Sequence, residues 1–140
     1  MKRFNQAWLL DNANGSALWR MAAIQAQSGR TDESLKLSAE AESLIGNDID
    51  FSVDYAKALG EAGAETENET LLKDAFARFA RLYGKAPQHT INLQNWAITL
   101  SYVGNYTESW KKLEMAEATP RHAEPDPRFL AALASKMPRP

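Results

Sequence analysis

Gly29 and Gly63 stand 34 residues apart, and each closes a run with the same apolar spacing. A third such run ends at Gly104, 41 residues further on, which is the same period with seven residues inserted. A period of this length restricts a chain to a stack of like supersecondary units, because one unit cannot bury its apolar face alone. The first run places Leu18, Met21, Ala22 and Gln25 on one helical stripe, and the second places Ser52, Tyr55, Ala56 and Leu59 at the same spacing. Leu93, Trp96, Ala97 and Leu100 repeat it in the third. Alanine is the third member each time, and a small residue there lets a second helix approach closely.

After each glycine the pattern predicts a second helix. Its inward positions are Ser34, Ser38 and Ala41 in the first copy, Ala75, Phe79 and Leu82 in the second, and Ser109, Leu113 and Ala116 in the third. Gly46, Pro87 and Pro120 then stop the three units.

Large-x2-large-small-x2-large, a turn glycine, small-x3-large-x2-small and a closing proline resemble the tetratricopeptide repeat, over residues 15–120. Departures are Thr31 where the second helix usually opens with an aromatic, serine at two of the three crossing positions, and no closing proline in the first copy. The resemblance implies an all-α fold, a right-handed α-solenoid of antiparallel helix hairpins. Within a single domain, 1–140, it implies a flanking half-hairpin over 2–14 and repeats over 15–48, 49–88 and 89–122. A capping helix follows over 126–137.

Carried backwards, the register makes residues 2–10 the second half of a hairpin, with Phe4 and Ala7 inward. Either the chain begins with a lone capping helix or it is a fragment of a longer array. The second reading is preferred, since half a hairpin gives Phe4 and Trp8 little to pack against. Those two residues are the candidate self-association surface, for a homodimer through the N-terminal helix. At the other end Asp126-Pro127 is a strong helix start. Phe129, Leu130, Leu133 and Met137 form a stripe suited to covering the last repeat, and Trp110 is expected to pack against this following element.

The formal charge of −2 gives no reason to expect nucleic acid, and Arg78, Arg81 and Lys85 read as one solvated helix face. Without cysteine there is no disulfide, thiolate metal site or cysteine nucleophile. No apolar run is long enough to span a bilayer. These features point to the cytoplasm, with the periplasm as the alternative if the chain is a fragment. His89 and His122 fall at hairpin boundaries with no nucleophile or phosphate loop near them in sequence, and Asp48, Asp50 and Asp54 read as a helix start rather than a cation loop. The expectation is a non-catalytic protein, with no cofactor and no metal. In the inserted stretch, Thr66-Glu67-Asn68-Glu69 matches a capping box and the other glutamates suit a solvated loop.

The family resemblance also implies a concave groove lined by the first helix of each hairpin. Transferred position by position, the groove residues are Trp19, Ala23 and Gln27, then Val53, Asp54 and Lys57, then Gln94, Asn95, Ile98 and Tyr102. Ser16, Asp50, Glu61 and Ile91 are implied to face the groove as well. Trp19 and Tyr102 are the candidate anchors, because amphipathic aromatics concentrate binding energy; Trp96 is assigned to the core. Chaperone-binding members of the family clamp a carboxylate with cations, and the corresponding positions here are Trp19, Ala23, Asp54, Ile91 and Asn95. None is cationic. The expected partner is therefore an extended or helical protein segment held by side chains, for an adaptor or assembly factor. A weaker echo, in Asp54-Tyr55-Ala56, the long second hairpin and Ser109-Trp110-Lys111, resembles the repeat domain of bacterial cytochrome c maturation chaperones. It would imply a periplasmic domain binding an apocytochrome tail.

Overall fold

A computed structural model describes the backbone of residues 2–120 and 123–140, and the side chains from Leu9 onward except at 121 and 122. His122 and the side chains of Phe4 and Trp8 lie outside the described residues. Among those described there are only helices and connecting segments: α1 (Lys2–Gln27), α2 (Thr31–Ile45), α3 (Ile49–Glu65), α4 (Glu69–Lys85), α5 (Thr90–Tyr102), α6 (Tyr106–Glu117) and α7 (Pro127–Lys136). The fold is all-α, and the chain divides into two compact units, Met1–Ala58 and Leu59–Pro140. The boundary falls inside α3, the first helix of the second hairpin.

In the first unit α1 packs along α2. The hairpin turn that the register places before residue 15 is absent, and α1 runs unbroken through Asp11-Asn12-Ala13-Asn14-Gly15. That stretch contains polar helix-weakening residues but no proline, so its cost is about 0.5–1 kcal/mol per residue rather than a break. Packing decides the outcome. A Cβ at Gly15 would lie 2.5 Å from Ile45 Cγ2, so the glycine serves a close approach to α2 and not a turn. Ser34 Oγ, on α2, donates to the Ala22 carbonyl of α1 at 2.8 Å. Asp48 caps α3 by accepting from the Phe51 amide. Met21, expected inward, is 49% exposed.

In the second unit α5 pairs with α6 and packs on α4. The pairing repeats the first hairpin to the atom, with Ser109 Oγ donating to the Ala97 carbonyl at 2.7 Å. Serine at the crossing position is therefore a specific device. Its hydroxyl is small enough for close approach and ties the second helix to a carbonyl of the first, a bond worth about 1 kcal/mol. Ala75 holds the corresponding place in α4 and has no hydroxyl to offer. Phe79 and Leu113 are fully buried, each contributing about 2–3 kcal/mol of apolar transfer. Asn92 Nδ2 donates to the Phe79 carbonyl at 3.2 Å, linking α5 to α4. Trp96, assigned to the core, is only half-buried. It stacks on Phe79 with centroids 6.1 Å apart and carries the Lys112 ammonium 4.1 Å above its ring.

The three hairpin turns share one construction. Gly29, Glu67 and Gly104 take φ of 78°, 52° and 80°. The next amide in each case, of Arg30, Asn68 and Asn105, reaches back to the carbonyl of Gln25, Gly63 and Leu100. These are Schellman turns. The turn residue of the second hairpin is thus Glu67, and Gly63 is an interior helical residue that supplies the accepting carbonyl. A Cβ at Gly63 would come within 2.8 Å of Leu72 Cγ, so this glycine too serves a close helix approach. Thr66 does not cap α4; its hydroxyl bonds back to the Ala62 carbonyl, and Asn68 caps the Leu71 amide instead. Asn105 does the same for α6.

Placing the turn at Glu67 shows where the seven inserted residues go. Four lengthen α3, about one turn, two lengthen α4, and one lengthens the link from α4 to α5. The insertion is a longer hairpin, not a loop.

Asp126 caps α7 through the Arg128 amide, and Pro127 occupies the first helical position. Leu133 closes a cluster with Ala97, Trp110 and Leu113, with Phe129, Leu130 and Met137 packed around it. Trp110 Nε1 donates to the Met137 carbonyl at 2.9 Å, so the expected contact of this tryptophan with the terminal element is present.

Candidate functional site around Tyr102

Three helices of the second unit place side chains around one exposed aromatic. α5 offers Ile98, Ser101 and Tyr102, one helical face at its C-terminal end. The end of α3 offers Glu61, Ala64 and Glu65, and α7 offers Phe129, Ala132, Leu133 and Lys136. Ala64 and Glu65 belong to the extra turn of α3, so the insertion builds part of this site.

Two concavities meet at Tyr102. The first, about 380 Å³, is lined by Glu61, Ala64, Glu65 and Tyr102. The second, about 530 Å³, lies between α5, the start of α6 and α7. Ile98, Phe129, Ala132 and Leu133 give it an apolar wall, with Tyr106 beside them. Asp126, Arg128 and Lys136 stand at its polar edge. Arg128 is paired with Asp126 at 3.2 Å. Tyr102 itself is 55% exposed. Partial burial of its hydroxyl, and then the nearby Glu61 and Glu65 carboxylates, hold the phenol above its ordinary pKa.

The sequence-derived groove residues divide between the two units. In the first unit Ala23, Gln27, Asp54 and Lys57 are at the surface. Trp19 is half-buried, and its Nε1 donates to Asp54 Oδ2 at 2.8 Å while its ring meets Phe51 edge-on at 5.5 Å. Both anchor and acid are thereby engaged with their own fold. Val53 is 3% exposed and belongs to the core, because α3 is covered on more than one side, with Phe51, Tyr55 and Ala56 buried as well. In the second unit Asn95 is likewise buried, at 7%, and its carbonyl accepts from Thr99. Gln94 donates to the Ala123 carbonyl and steadies the segment leading to α7. Ile98 and Tyr102 alone of the ten line the concavities described here.

Glu65, expected in a solvated loop, stands on α3, and the α7 stripe expected to cover the core also lines the second concavity.

His89 caps α5 through Nδ1 rather than facing a cleft. Among the described residues, no three His, Asp or Glu side chains gather as a metal site, and no helix is long and apolar enough to cross a membrane. No protein-family model matches the chain, and no curated protein is significantly similar to it.

Proposed function

We propose that this chain is a tetratricopeptide-like module, its hairpins stacked as a right-handed solenoid, that holds a protein or peptide segment without chemistry of its own. The repeat reading is supported by the three equivalent Schellman turns and by the twin serine-to-carbonyl bonds at Ser34 and Ser109. The binding reading rests on one observation, an exposed tyrosine standing between two concavities on the first-helix side of the hairpins. A tyrosine offers a large rigid contact area with a polar tip, at little entropic cost. As an adaptor or assembly factor, the module would use its helices as a rigid frame and Tyr102 as the anchor.

Affinity capture from a lysate of the source organism, comparing the chain with Tyr102→Ala, tests this. A protein retained by the first and lost by the second supports the reading. Retention by both removes Tyr102 from the site.

A second reading is favoured by a separate observation. Leu10, Met21 and Ile24 are exposed and share one face of α1, which suits self-association through that helix. Sedimentation at several concentrations would then show dimers that Leu10→Ser with Ile24→Ser disperses. A monomer throughout would remove this reading.

A further inference from the structure

We propose that α7 is a displaceable lid: it opens as one unit about Asp126, and the seat it leaves on α5 and α6 accepts a helix of the same pattern from another chain. The inference does not depend on the role of Tyr102.

The seat is complete without its lid. α5 and α6 are joined by the Ser109 bond to the Ala97 carbonyl, Asn105 caps α6, and Asn92 ties α5 to α4. None of these contacts involves α7. What α7 adds is Leu133, which closes over Ala97, Trp110 and Leu113.

The lid is thin. Ten residues are too few to keep a helix in water by themselves, so α7 is helical because it is docked. Leu133 alone of the ten is buried, Phe129 and Leu130 are half-buried, and the other seven are exposed. Toward α5 the helix stands off, and the hollow of about 530 Å³ lies between its Phe129, Ala132 and Lys136 and the Ile98 and Tyr102 of α5.

The polar ties to α6 come after the last turn of α7 and gather around Trp110. The indole Nε1 donates to the Met137 carbonyl, and Thr107 Oγ1 donates to Met137 Sδ at 3.7 Å. Arg139 pairs with Glu117 at 2.7 Å and lies 5.4 Å from the centre of the Trp110 ring. The entry to α7 is held separately, since Gln94 donates to the Ala123 carbonyl and Pro125 is buried. A helix fixed before its first residue and clasped after its last has a pivot at Asp126 and a latch at Trp110. An element with so few buried apolar contacts opens at a lower free energy than the fold as a whole.

The occupant shows what the seat recognises. α7 presents Phe129, Leu130, Leu133 and Met137, positions i, i+1, i+4 and i+8 of one helical stripe, and Arg139 follows against Glu117. An incoming helix with those apolar positions and a basic residue after them meets the same groups. Lid and incoming helix compete for one surface, so weakening the first raises the apparent affinity for the second.

Two measurements on the full chain test this. In native-state hydrogen exchange the α7 amides should exchange at one common rate, at least about tenfold faster than the interior amides of α5 and α6. Trp110→Phe keeps a ring but loses the Met137 bond, and should speed α7 about fivefold while leaving α4 unchanged. In the second measurement, a fluorescent peptide of residues 124–140 should bind the Leu133→Ala chain at least about tenfold more tightly than the unaltered chain. Should Leu133→Ala disturb the hairpin, which lost protection in α4 would reveal, Arg139→Gln loosens the lid more gently and should give a gain of about twofold. Exchange of α7 in step with α5 and α6 would overturn the lid. A peptide that gains nothing from either variant, or that still binds after Trp110→Ala, would overturn the seat.

Discussion

Trp19 in the first unit and Tyr102 in the second are the same kind of residue in the sequence: an aromatic with a polar tip, on the first helix of a hairpin, beside the inward stripe. The fold uses them oppositely. Trp19 turns its indole edge onto Phe51 and donates to Asp54, so its polar tip and much of its ring are satisfied within the chain. Tyr102 meets carboxylates on one side and an apolar hollow on the other, with more than half its surface open. An aromatic with an internal partner is a structural post. One held between concavities is the recognition element proposed above. Spacing along a helix fixes which way a side chain starts, and its neighbours on other helices decide what it finds there.

The largest expected effect separates the two residues directly. Trp19→Ala should lower stability by about 2 kcal/mol, less than a fully buried tryptophan would cost because half the ring is open. Tyr102→Ala should change it by under about 0.5 kcal/mol, as surface substitutions do; urea unfolding of the two variants measures both. Equal losses would erase the distinction.

A smaller change sharpens the Trp19 half. Asp54→Ala removes the indole's acceptor and should cost about 1 kcal/mol by the same measurement. Asp54→Asn, which keeps an acceptor oxygen, should recover most of that.

On the Tyr102 side, the lengthened hairpin turns on a non-glycine residue in the left-handed region, Glu67, where the other two hairpins have glycine. Glu67→Gly should raise the unfolding midpoint by the equivalent of about 0.5–1 kcal/mol, since the strain there is relieved and only partly offset by added freedom in the unfolded chain. No gain would mean that the turn is not strained.

The smallest signal is an ionisation. Absorbance titration, taken as the difference from Tyr102→Phe, should place the Tyr102 phenol above the usual tyrosine range. Glu61→Gln/Glu65→Gln should bring it part of the way down, because burial is the larger cause. The sign for stability follows. The unfolded chain releases this proton first, so the folded state loses ground as pH rises past the ordinary value near 10. An ordinary midpoint would show that neither burial nor the two carboxylates act on the phenol.

Much of the fold could be read from the amino acids, because the alanine at each helix crossing and the stop signals are local and repeated. Ala22, Ala56 and Ala97 are all buried, and the second helices end one to three residues before Gly46, Pro87 and Pro120. What misled was glycine. Gly15, Gly29 and Gly63 carry the same letter, yet only Gly29 uses its left-handed freedom; the other two let a neighbouring helix come close. Reading Gly63 as a turn turned a helical extension into a loop and hid Glu65 from the site. Val53 differs for another reason: a groove position transferred by register takes α3 to be open on one side, whereas Phe51, Val53, Tyr55 and Ala56 are all buried. The hollow beside α7 was out of reach, since it depends on how two stripes fail to cover one another.

The central claim is that Tyr102 marks where another protein is held. The most direct test places a photo-crosslinking phenylalanine at position 102 and, in a second variant, at exposed Lys111 on α6, and irradiates each in cells of the source organism. The account predicts discrete adducts from position 102, mapped by mass spectrometry to one segment of another protein, and none of them from position 111. The same adducts from both positions, or adducts from 111 alone, would contradict it.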